Sequence, residues 1–260
     1  MRIARFSAGD DVAFGVVDGD PSDPASLSVT AISGHPFAPF QLVGRPRPLT
    51  DVRLLAPILP SKVVGIGRNY ADHARELGNE VPDVPVVFLK PSTAVAGPHE
   101  VVALPPISAD VHHEAELAVV IGRLCREVPV ERANDVILGY TCANDVTARD
   151  LQRSEEQWTR AKGADTFCPL GPWIVTALDV TDLRIRCTVN GELRQDGRTS
   201  HMVRSVAELL AHVTAAMTLL PGDVILTGTP AGVGPIRGGD EVSVTIDGIG
   251  TLTNRVASRG

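Results

Sequence analysis

Two glutamates at the start of an apolar stretch could share a metal ion. Residues 111–122 are VHHEAELAVVIG, and the second half is a continuous apolar run typical of a buried strand. On a strand, residues two apart share a face, so His112, Glu114 and Glu116 point to the same side. Two neighbouring carboxylates repel each other unless a positive charge lies between them, and a hard divalent cation would supply that charge. The alternative is a strand end at which both glutamates are solvated.

A second polar cluster follows another apolar stretch. Residues 136–140, VILGY, are followed by TCANDVTARDLQ. Asp145 and Asp150 are candidates for a third oxygen ligand, and Arg149 and Gln152 could hold an anionic substrate beside it. Because Asn-Asp sequences are also common in turns, ordinary turn formation is the alternative.

The segment GIGRNYADHARELG, residues 65–78, carries a histidine and a carboxylate at helical spacing. His73 and Glu76 are three residues apart and would share a helix face. A histidine oriented by a carboxylate can act as a general base on water. The glycines do not indicate a dinucleotide site, because Tyr70 replaces the third glycine of the G-x-G-x-x-G pattern. The alternative is a short surface helix.

Two further residues lie in loops that could border a site. Lys162 lies in TRAKGADTFCPLGPW, where it could stabilise a developing oxyanion or simply be solvated. Thr229 is the centre of a Gly-Thr-Pro sequence that is not a phosphate-binding P-loop, because no Gly-Lys-Ser/Thr follows it. A tight turn at a strand end, presenting backbone amides or the threonine hydroxyl, fits better.

Composition and charge exclude several classes of function. The 260 residues include 24 lysines and arginines against 31 aspartates and glutamates, and the net charge of −7 argues against a surface for nucleic acid or anionic membrane. No apolar stretch approaches the roughly 20 residues that span a bilayer, and residues 1–11 lack a signal-peptide pattern. The four cysteines form no CxxC pair, so we expect small buried thiols. A cytoplasmic protein follows from these observations.

Strand patterns greatly outnumber helical patterns along the chain. The turn sequences Asn190-Gly191 and Asp247-Gly248 predict two hairpins. A single long amphipathic helix is predicted, from Ser205 to about Leu220. Because the βαβ alternation is missing, the pattern predicts a mixed β (α+β) fold built as a sandwich or rolled barrel. Residues 1–60 are expected to form a small β-rich N-terminal domain and residues 61–260 a larger second domain.

Seven segments occur together and in a characteristic order: RNYADHARE, FLKPST, HHEAELAVVIG, GYTCANDVTARDLQ, TRAKGADTFCPLGPW, VNGELRQDG and LLPGDVILTGTPAGVGPI. In this combination the chain resembles the fumarylacetoacetate hydrolase family from about residue 62 to residue 256. The resemblance implies a β-sandwich roll as the catalytic domain and assembly as a homodimer. It also implies a divalent cation, Mg²⁺ or Mn²⁺ and less commonly Ca²⁺, held by Glu114, Glu116 and Asp145. The additional upstream aspartate ligand of the larger animal enzymes has no counterpart that we can locate.

The resemblance also implies catalytic and substrate-binding residues. The family's histidine and glutamate on a lid match His73 and Glu76, and its site lysine matches Lys162. Positions that contact or surround substrate match Arg68, Tyr70, Lys90, Ser92, Arg149, Gln152 and Thr229.

Family substrates are 2-oxo acids with a second carbonyl or carboxyl group. We therefore expect a metal-dependent hydrolase that cleaves a C–C bond of an acylpyruvate-type 2,4-dioxo acid, giving pyruvate and a carboxylic acid. His73, oriented by Glu76, would deprotonate water, and Lys162 would stabilise the pyruvate enolate. The alternatives are an oxaloacetate decarboxylase, a 2-hydroxyhepta-2,4-diene-1,7-dioate isomerase, or a catalytically idle relative that only binds a ligand.

Overall fold

The computed structural model describes residues 1–21 and 23–258, and strands dominate it. The first ten strands are β1 (Arg2–Ala8), β2 (Asp11–Asp18), β3 (Ser28–Ile32), β4 (Leu42–Pro48), β5 (Arg53–Leu55), β6 (Lys62–Gly67), β7 (Val86–Pro91), β8 (Val95–Ala96), β9 (Val101–Leu104) and β10 (Val111–His113). The later strands are β11 (Ala115–Ile121), β12 (Ile137–Asn144), β13 (Thr147–Ala148), β14 (Cys168–Val175), β15 (Arg184–Val189), β16 (Glu192–Arg198), β17 (Val224–Leu226), β18 (Gly234–Pro235), β19 (Glu241–Ile246) and β20 (Gly250–Ser258). The α-helices of the described residues are α1 (Ala71–Glu76), α2 (Arg149–Ser154), α3 (Thr159–Lys162) and α4 (Val206–Ala216). The fold is the mixed α+β class that the sequence predicts.

The N-terminal strands extend the largest sheet instead of forming a sheet of their own. Within the described residues, the order of strands in this sheet is β4-β3-β2-β1-β14-β12-β11-β17-β6-β7, with β5 beside β1 and β8 beside β14. β1 pairs with β14 in antiparallel register, and Arg2 lies opposite Val175. Smaller sheets have the orders β13-β10-β18 and β16-β15-β19-β20-β9. The domain boundary at residue 60 stays a prediction.

β11 lies in the centre of the core, between β12 and β17. All of its residues are buried. Leu117 and Val119 belong to one apolar cluster, whereas Ala118 and Val120 belong to another. Both faces of the strand are therefore covered, which explains its continuous apolar sequence.

The antiparallel pairing of β11 with β12 brings the acidic residues together. The start of β11 lies beside the end of β12, and Ala115 is opposite Asn144. Glu114 and Glu116 flank Ala115, and Asp145 follows Asn144. The Asp145 N–H donates to the Glu114 carbonyl oxygen at 2.8 Å, so the two chain segments stay joined beyond the strand ends.

Both predicted hairpins are present. Asn190 and Gly191 connect β15 to β16 with φ values of 53° and 80°, the left-handed backbone that a type I′ turn requires. The second turn joins β19 to β20, and there Gly248 has a φ of 76°. The local turn residues thus determine where the chain reverses direction within this sheet.

The predicted long helix is shorter than expected. α4 begins after Ser205, whose side chain forms a capping box with Glu208, as its N-cap position requires. It ends at Ala216 instead of about Leu220, because Met217 is extended and the backbone of Leu219 pairs with that of Cys125. A tertiary backbone pairing therefore overrides the helical periodicity of residues 217–220, the last four of the predicted helix.

No helix of the described residues is long and apolar enough to cross a membrane. The predicted buried thiols are buried and free: Cys125, Cys142, Cys168 and Cys187.

Candidate active site

A cavity of about 420 Å³ opens where β11 begins and β12 ends. Ten of the thirteen residues proposed from the sequence line it: Arg68, His73, Glu76, Glu114, Glu116, Asp145, Arg149, Gln152, Lys162 and Thr229. Tyr70, Lys90 and Ser92 are not among the lining residues. The structure thus brings together the proposed metal ligands and the proposed catalytic residues, whose roles stay predictions.

Glu114, Glu116 and Asp145 form a compact acidic cluster. One carboxylate oxygen from each residue lies within 4.8 Å of the others, and all three side chains are buried. Asn144 supports the cluster, because its side-chain oxygen accepts from the Glu114 N–H at 2.9 Å. The two glutamates therefore direct their carboxylates to the same side of the chain, as their two-residue spacing predicts.

Two buried cations neutralise Glu114. Lys162 Nζ donates to Glu114 Oε2 at 2.8 Å and to Asp145 Oδ2 at 2.7 Å, and the Arg149 guanidinium donates to Glu114 Oε1. Burial by itself would raise the pKa of Glu114, but the charges of Arg149 and Lys162 outweigh it and hold this pKa well below its ordinary value. Burial would lower the pKa of Lys162, whereas Asp145 and Glu114 raise it, so the ammonium group stays charged.

Glu116 is the carboxylate without a cationic partner among the described residues. Its Oε2 accepts from the backbone N–H of Gly228 at 2.7 Å. Burial, followed by the charges of Asp145 and Glu114, raises the pKa of Glu116 well above its ordinary value. Three converging carboxylates offer the oxygen ligands that a hard divalent cation such as Mg²⁺ or Mn²⁺ prefers. Lys162 and Arg149 already contact both oxygens of Glu114. A bound cation would therefore share these oxygens with the two basic groups.

Lys90, which the resemblance places near the substrate, lies behind the cavity wall, and its substrate-binding role stays a prediction. This residue is fully buried on β7, and its Nζ lies 2.6 Å from Asp145 Oδ1. The same ammonium donates to the carbonyl oxygens of Val146 at 3.1 Å, Lys162 at 2.6 Å and Phe167 at 2.8 Å. Lys90 therefore supports Asp145, a proposed metal ligand, from behind the cavity wall.

His73 and Glu76 form the pair expected on α1. His73 Nδ1 lies 3.1 Å from Glu76 Oε2, and the backbone N–H of Gly232 donates to Glu76 Oε1 at 3.0 Å. The imidazole is buried and lines the same cavity as the acidic cluster. With Nδ1 donating to the carboxylate, Nε2 is left as the basic nitrogen.

Arg149 and Gln152 share the first turns of α2. Arg149 is fully buried, and one of its Nη atoms donates to Gln152 Oε1 at 2.7 Å while the other contacts Glu114. Asp150, the alternative third ligand, lies elsewhere: its carboxylate accepts from Ser108 Oγ at 2.6 Å and from the Ala109 N–H at 2.9 Å. Asp145 is therefore the aspartate that joins the glutamates.

Thr229 lines the cavity, but its hydroxyl already has two protein partners. Oγ1 donates to the Ala115 carbonyl oxygen at 2.8 Å and accepts from Gln195 Nε2 at 2.7 Å. Gln195 is fully buried on β16, and its Oε1 accepts from the Ala115 N–H at 3.0 Å. Gln195 thus supports both the threonine and the residue between the two glutamates, a role that sequence reasoning missed.

The three remaining residues that were predicted to bind substrate differ in their surroundings. Arg68 borders the cavity and has a φ of 61°, an uncommon conformation for a residue other than glycine. Tyr70 is buried, and burial followed by the charge of Glu116 raises the pKa of its hydroxyl. Its hydroxyl has no hydrogen-bond partner among the described residues. Ser92 lies exposed on a short turn after β7, so nothing in its position supports substrate contact.

An aromatic wall completes the cavity. Phe88 and Trp158 meet edge to face with ring centroids 5.6 Å apart, and Lys162 Nζ lies 4.9 Å from the centroid of Phe88. The sequence shows Phe88 in an apolar strand pattern and Trp158 next to the lysine loop. Neither local pattern distinguishes a cavity wall from core packing.

Comparison with known proteins shows the family of the chain. A family model described as fumarylacetoacetate (FAA) hydrolase C-terminal matches residues 62–257, and one described as Rv2993c-like, N-terminal, matches residues 1–57. The oxaloacetate tautomerase FAHD2B, mitochondrial, of Bos taurus is 46% identical over 222 residues, which cover 80% of this chain and 71% of that protein.

Two solved structures share the fold over the whole chain. The 2-hydroxyhepta-2,4-diene-1,7-dioate isomerase from Mycobacterium marinum is 53% identical, with a TM-score of 0.94 and coverage of 100% of this chain and 99% of that one. The maleylpyruvate hydrolase from Sphingobium sp. SYK-6 is 34% identical, with a TM-score of 0.80 and full coverage of both chains. Because the family model matches residues 62–257, the chain belongs to the fumarylacetoacetate hydrolase family.

Proposed function

We propose that the protein is a divalent-metal-dependent hydrolase that cleaves a C–C bond in an acylpyruvate-type 2,4-dioxo acid. The observation that carries the proposal is that a histidine–glutamate pair and an acidic cluster line the same cavity. A base and an electrophilic centre on one cavity are the two components that water-dependent C–C cleavage needs.

Glu114, Glu116 and Asp145 would hold Mg²⁺ or Mn²⁺, with Ca²⁺ as a further candidate. When bound, the cation supplies Lewis acidity to a 2-oxo acid that chelates it through its carboxylate and keto oxygens. Lys162 uses its ammonium group for Glu114 and Asp145, so one N–H remains for a developing enolate oxygen.

His73 would take a proton from water while Glu76 accepts the hydrogen bond from Nδ1–H. The water oxygen bonds to the distal carbonyl carbon, and the C–C bond to the pyruvate fragment breaks with its electron pair forming pyruvate enolate. The imidazolium of His73 then returns the proton to the enolate carbon. One water is consumed, and the products are a carboxylic acid and pyruvate.

A second candidate is proton transfer without cleavage, as in tautomerisation or isomerisation. Relatives that are 53% and 46% identical are named as an isomerase and an oxaloacetate tautomerase. The same base, His73, could move a proton between the carbon and oxygen atoms of a bound 2-oxo acid. Decarboxylation of oxaloacetate would give the same enolate without any need for a base on water.

Pyruvate release from acetylpyruvate and from oxaloacetate, with Mg²⁺ or Mn²⁺ and then with a chelator, tests the proposal. Metal-dependent release from acetylpyruvate supports hydrolysis. Release from oxaloacetate alone, retained in His73→Ala and lost in Glu116→Ala, supports decarboxylation instead. If neither substrate releases pyruvate but the enol absorbance of oxaloacetate changes in a metal-dependent way, the tautomerase is supported. Metal-dependent stabilisation without any turnover supports the idle binding relative.

We also propose that the protein is a cytoplasmic homodimer that acts on a small-molecule substrate. Membership of a family of soluble enzymes supports both the dimer and the location. Light scattering on the purified protein tests the dimer directly.

A further inference from the structure

Asn69 is a buried residue between β6 and α1, and it is not among the residues that line the catalytic cavity. A buried amide needs partners for both of its N–H groups and for its oxygen. Because Asn69 comes directly before Tyr70, the N-cap residue of α1, the partners of this amide also fix where the helix begins.

The side chain of Asn69 joins two segments that are distant in the sequence. Its Nδ2 donates to the carbonyl oxygens of Thr227 at 2.8 Å and Arg204 at 3.1 Å. Its Oδ1 accepts from the Arg204 N–H at 2.9 Å, which fixes the orientation of the amide. The Val203 N–H donates to the Asn69 carbonyl oxygen at 2.8 Å. Aspartate could not replace this residue, because a carboxylate has no N–H to donate to the two carbonyl oxygens.

The Thr227–Gly228 segment, which Asn69 contacts, also holds Glu116. The Gly228 N–H donates to Glu116 Oε2 at 2.7 Å. The N–H and the hydroxyl of Thr227 donate to the Leu117 carbonyl oxygen at 3.1 and 2.9 Å. Gly228 has a φ of 98°, and a Cβ atom there would lie 2.9 Å from Asn69 Cβ, so glycine permits this close approach. The segment therefore contacts β11 as well as the start of α1.

The other end of α1 is attached to the same stretch of chain. Glu76 Oε1 accepts from the Gly232 N–H at 3.0 Å, while Oε2 lies 3.1 Å from His73 Nδ1. Residues 227–232 thus contact both ends of α1 and the strand that carries Glu116. These contacts determine where His73 lies relative to the acidic cluster.

We propose that Asn69 is a positioning residue for His73. This inference rests on the proposed function, in which His73 takes a proton from water beside a bound cation. Proton transfer needs its atoms within hydrogen-bond reach, so a small displacement of α1 relative to β11 slows the reaction. Asn69 acts from outside the cavity, by holding the start of α1 on the Thr227–Gly228 segment.

Asn254 provides a matched control for Asn69. It is also buried, and its Nδ2 donates to two backbone carbonyl oxygens, those of Gly97 and Glu100, both at 2.8 Å. Asn254 lies on β20 and is not among the residues that line the catalytic cavity. Asn69→Ala and Asn254→Ala therefore remove hydrogen bonds of the same kind, but only Asn69→Ala releases α1.

Amide hydrogen exchange measures the attachment of α1 without any substrate. The N–H groups of Ala74 and Leu77 donate to carbonyl oxygens four residues earlier, at 2.9 and 3.2 Å. Asn69→Ala should make both amides exchange at least about tenfold faster, because the start of the helix loses its attachment. Asn254→Ala should leave them at the wild-type rate. Unchanged exchange in Asn69→Ala would overturn the proposal, whatever happens to the activity.

A double-mutant cycle tests the link to His73. Asn69→Ala should lower the kcat of acetylpyruvate hydrolysis by about 10–100-fold with little change in KM, because the base is displaced while the substrate keeps its other contacts. In the His73→Ala background the same substitution should lower kcat by less than about threefold more, since no base is left to displace. Asn254→Ala should keep the wild-type kcat.

Two kinetic results would overturn the proposal: an undiminished effect of Asn69→Ala in the His73→Ala background, or an equal loss of kcat in Asn254→Ala. A full rate in His73→Ala would instead reject the proposed function. The exchange of the α1 amides would then still decide whether Asn69 holds the helix in place.

Discussion

Gln195 Nε2 lies 2.7 Å from Thr229 Oγ1, which belongs to a residue 34 positions further along the chain. This contact joins β16 of the five-stranded sheet to a wall of the catalytic cavity. The same amide accepts from the Ala115 N–H, between two of the proposed metal ligands. One buried side chain therefore positions two different parts of the site.

Replacing Gln195 with leucine should destabilise the protein by about 2–3 kcal/mol, because a buried N–H and a buried hydroxyl lose their partners. Chemical denaturation measures the change. Gln41→Leu is the matched control, since the Gln41 side chain is exposed. Equal stability of the two variants would contradict the supporting role of Gln195.

His73→Ala should lower the rate of acetylpyruvate hydrolysis by about 10²–10⁴-fold, the usual contribution of a general base. Glu76→Gln should have a smaller effect in the same direction, because the imidazole stays but loses its oriented carboxylate. Titration with Mn²⁺ is the control, since neither residue belongs to the acidic cluster and the affinity should not change. A full rate in His73→Ala would eliminate the water-activating role.

Glu116→Gln should stabilise the metal-free protein at about pH 8, because burial and the charges of Asp145 and Glu114 disfavour the ionised carboxylate. The folded pKa of Glu116 lies well above its unfolded value, so the contribution to stability is present below the unfolded pKa and is lost as pH rises through the folded pKa. The variant should therefore lack this pH-dependent loss. Denaturation in a chelator at about pH 5 and pH 8 measures the difference.

Added Mn²⁺ should reverse the order of stability, because ligand binding to the native state stabilises the wild type more than a variant with one ligand fewer. If Glu116→Gln were less stable than the wild type in a chelator at both pH values, the unpaired charge at this position would be disproved.

Lys90→Met should cost about 3–5 kcal/mol, because it leaves the buried carboxylate of Asp145 without one of its partners. Metal affinity should fall as well, since Asp145 loses its support from behind the cavity. Arg132→Ala breaks an exposed ion pair with Asp135 and should change stability by less than about 0.5 kcal/mol. A Lys90→Met protein with wild-type stability but a raised KM would contradict the supporting role and favour the predicted contact with substrate.

Local patterns in the sequence determined much of the sheet structure and the convergence of the two glutamates in the site. The apolar run after Glu116 predicts a buried strand, and β11 is that strand. The two-residue spacing of Glu114 and Glu116 predicts a shared face, and their carboxylates converge in the structure. Asn190-Gly191 predicts a hairpin that is present. These features follow from backbone geometry, which acts over a few residues.

The tertiary structure alone decided which lysine faces the cavity and which glutamine supports it. Lys90 and Lys162 both contact Asp145, but β7 places one behind the wall and α3 places the other on the cavity. Gln195 meets Ala115 across 80 residues of chain. Such contacts depend on strand pairing between distant segments, and the spacing of neighbouring residues contains no information about them. For the same reason, α4 ends before Leu219, which pairs with a segment far away in the sequence.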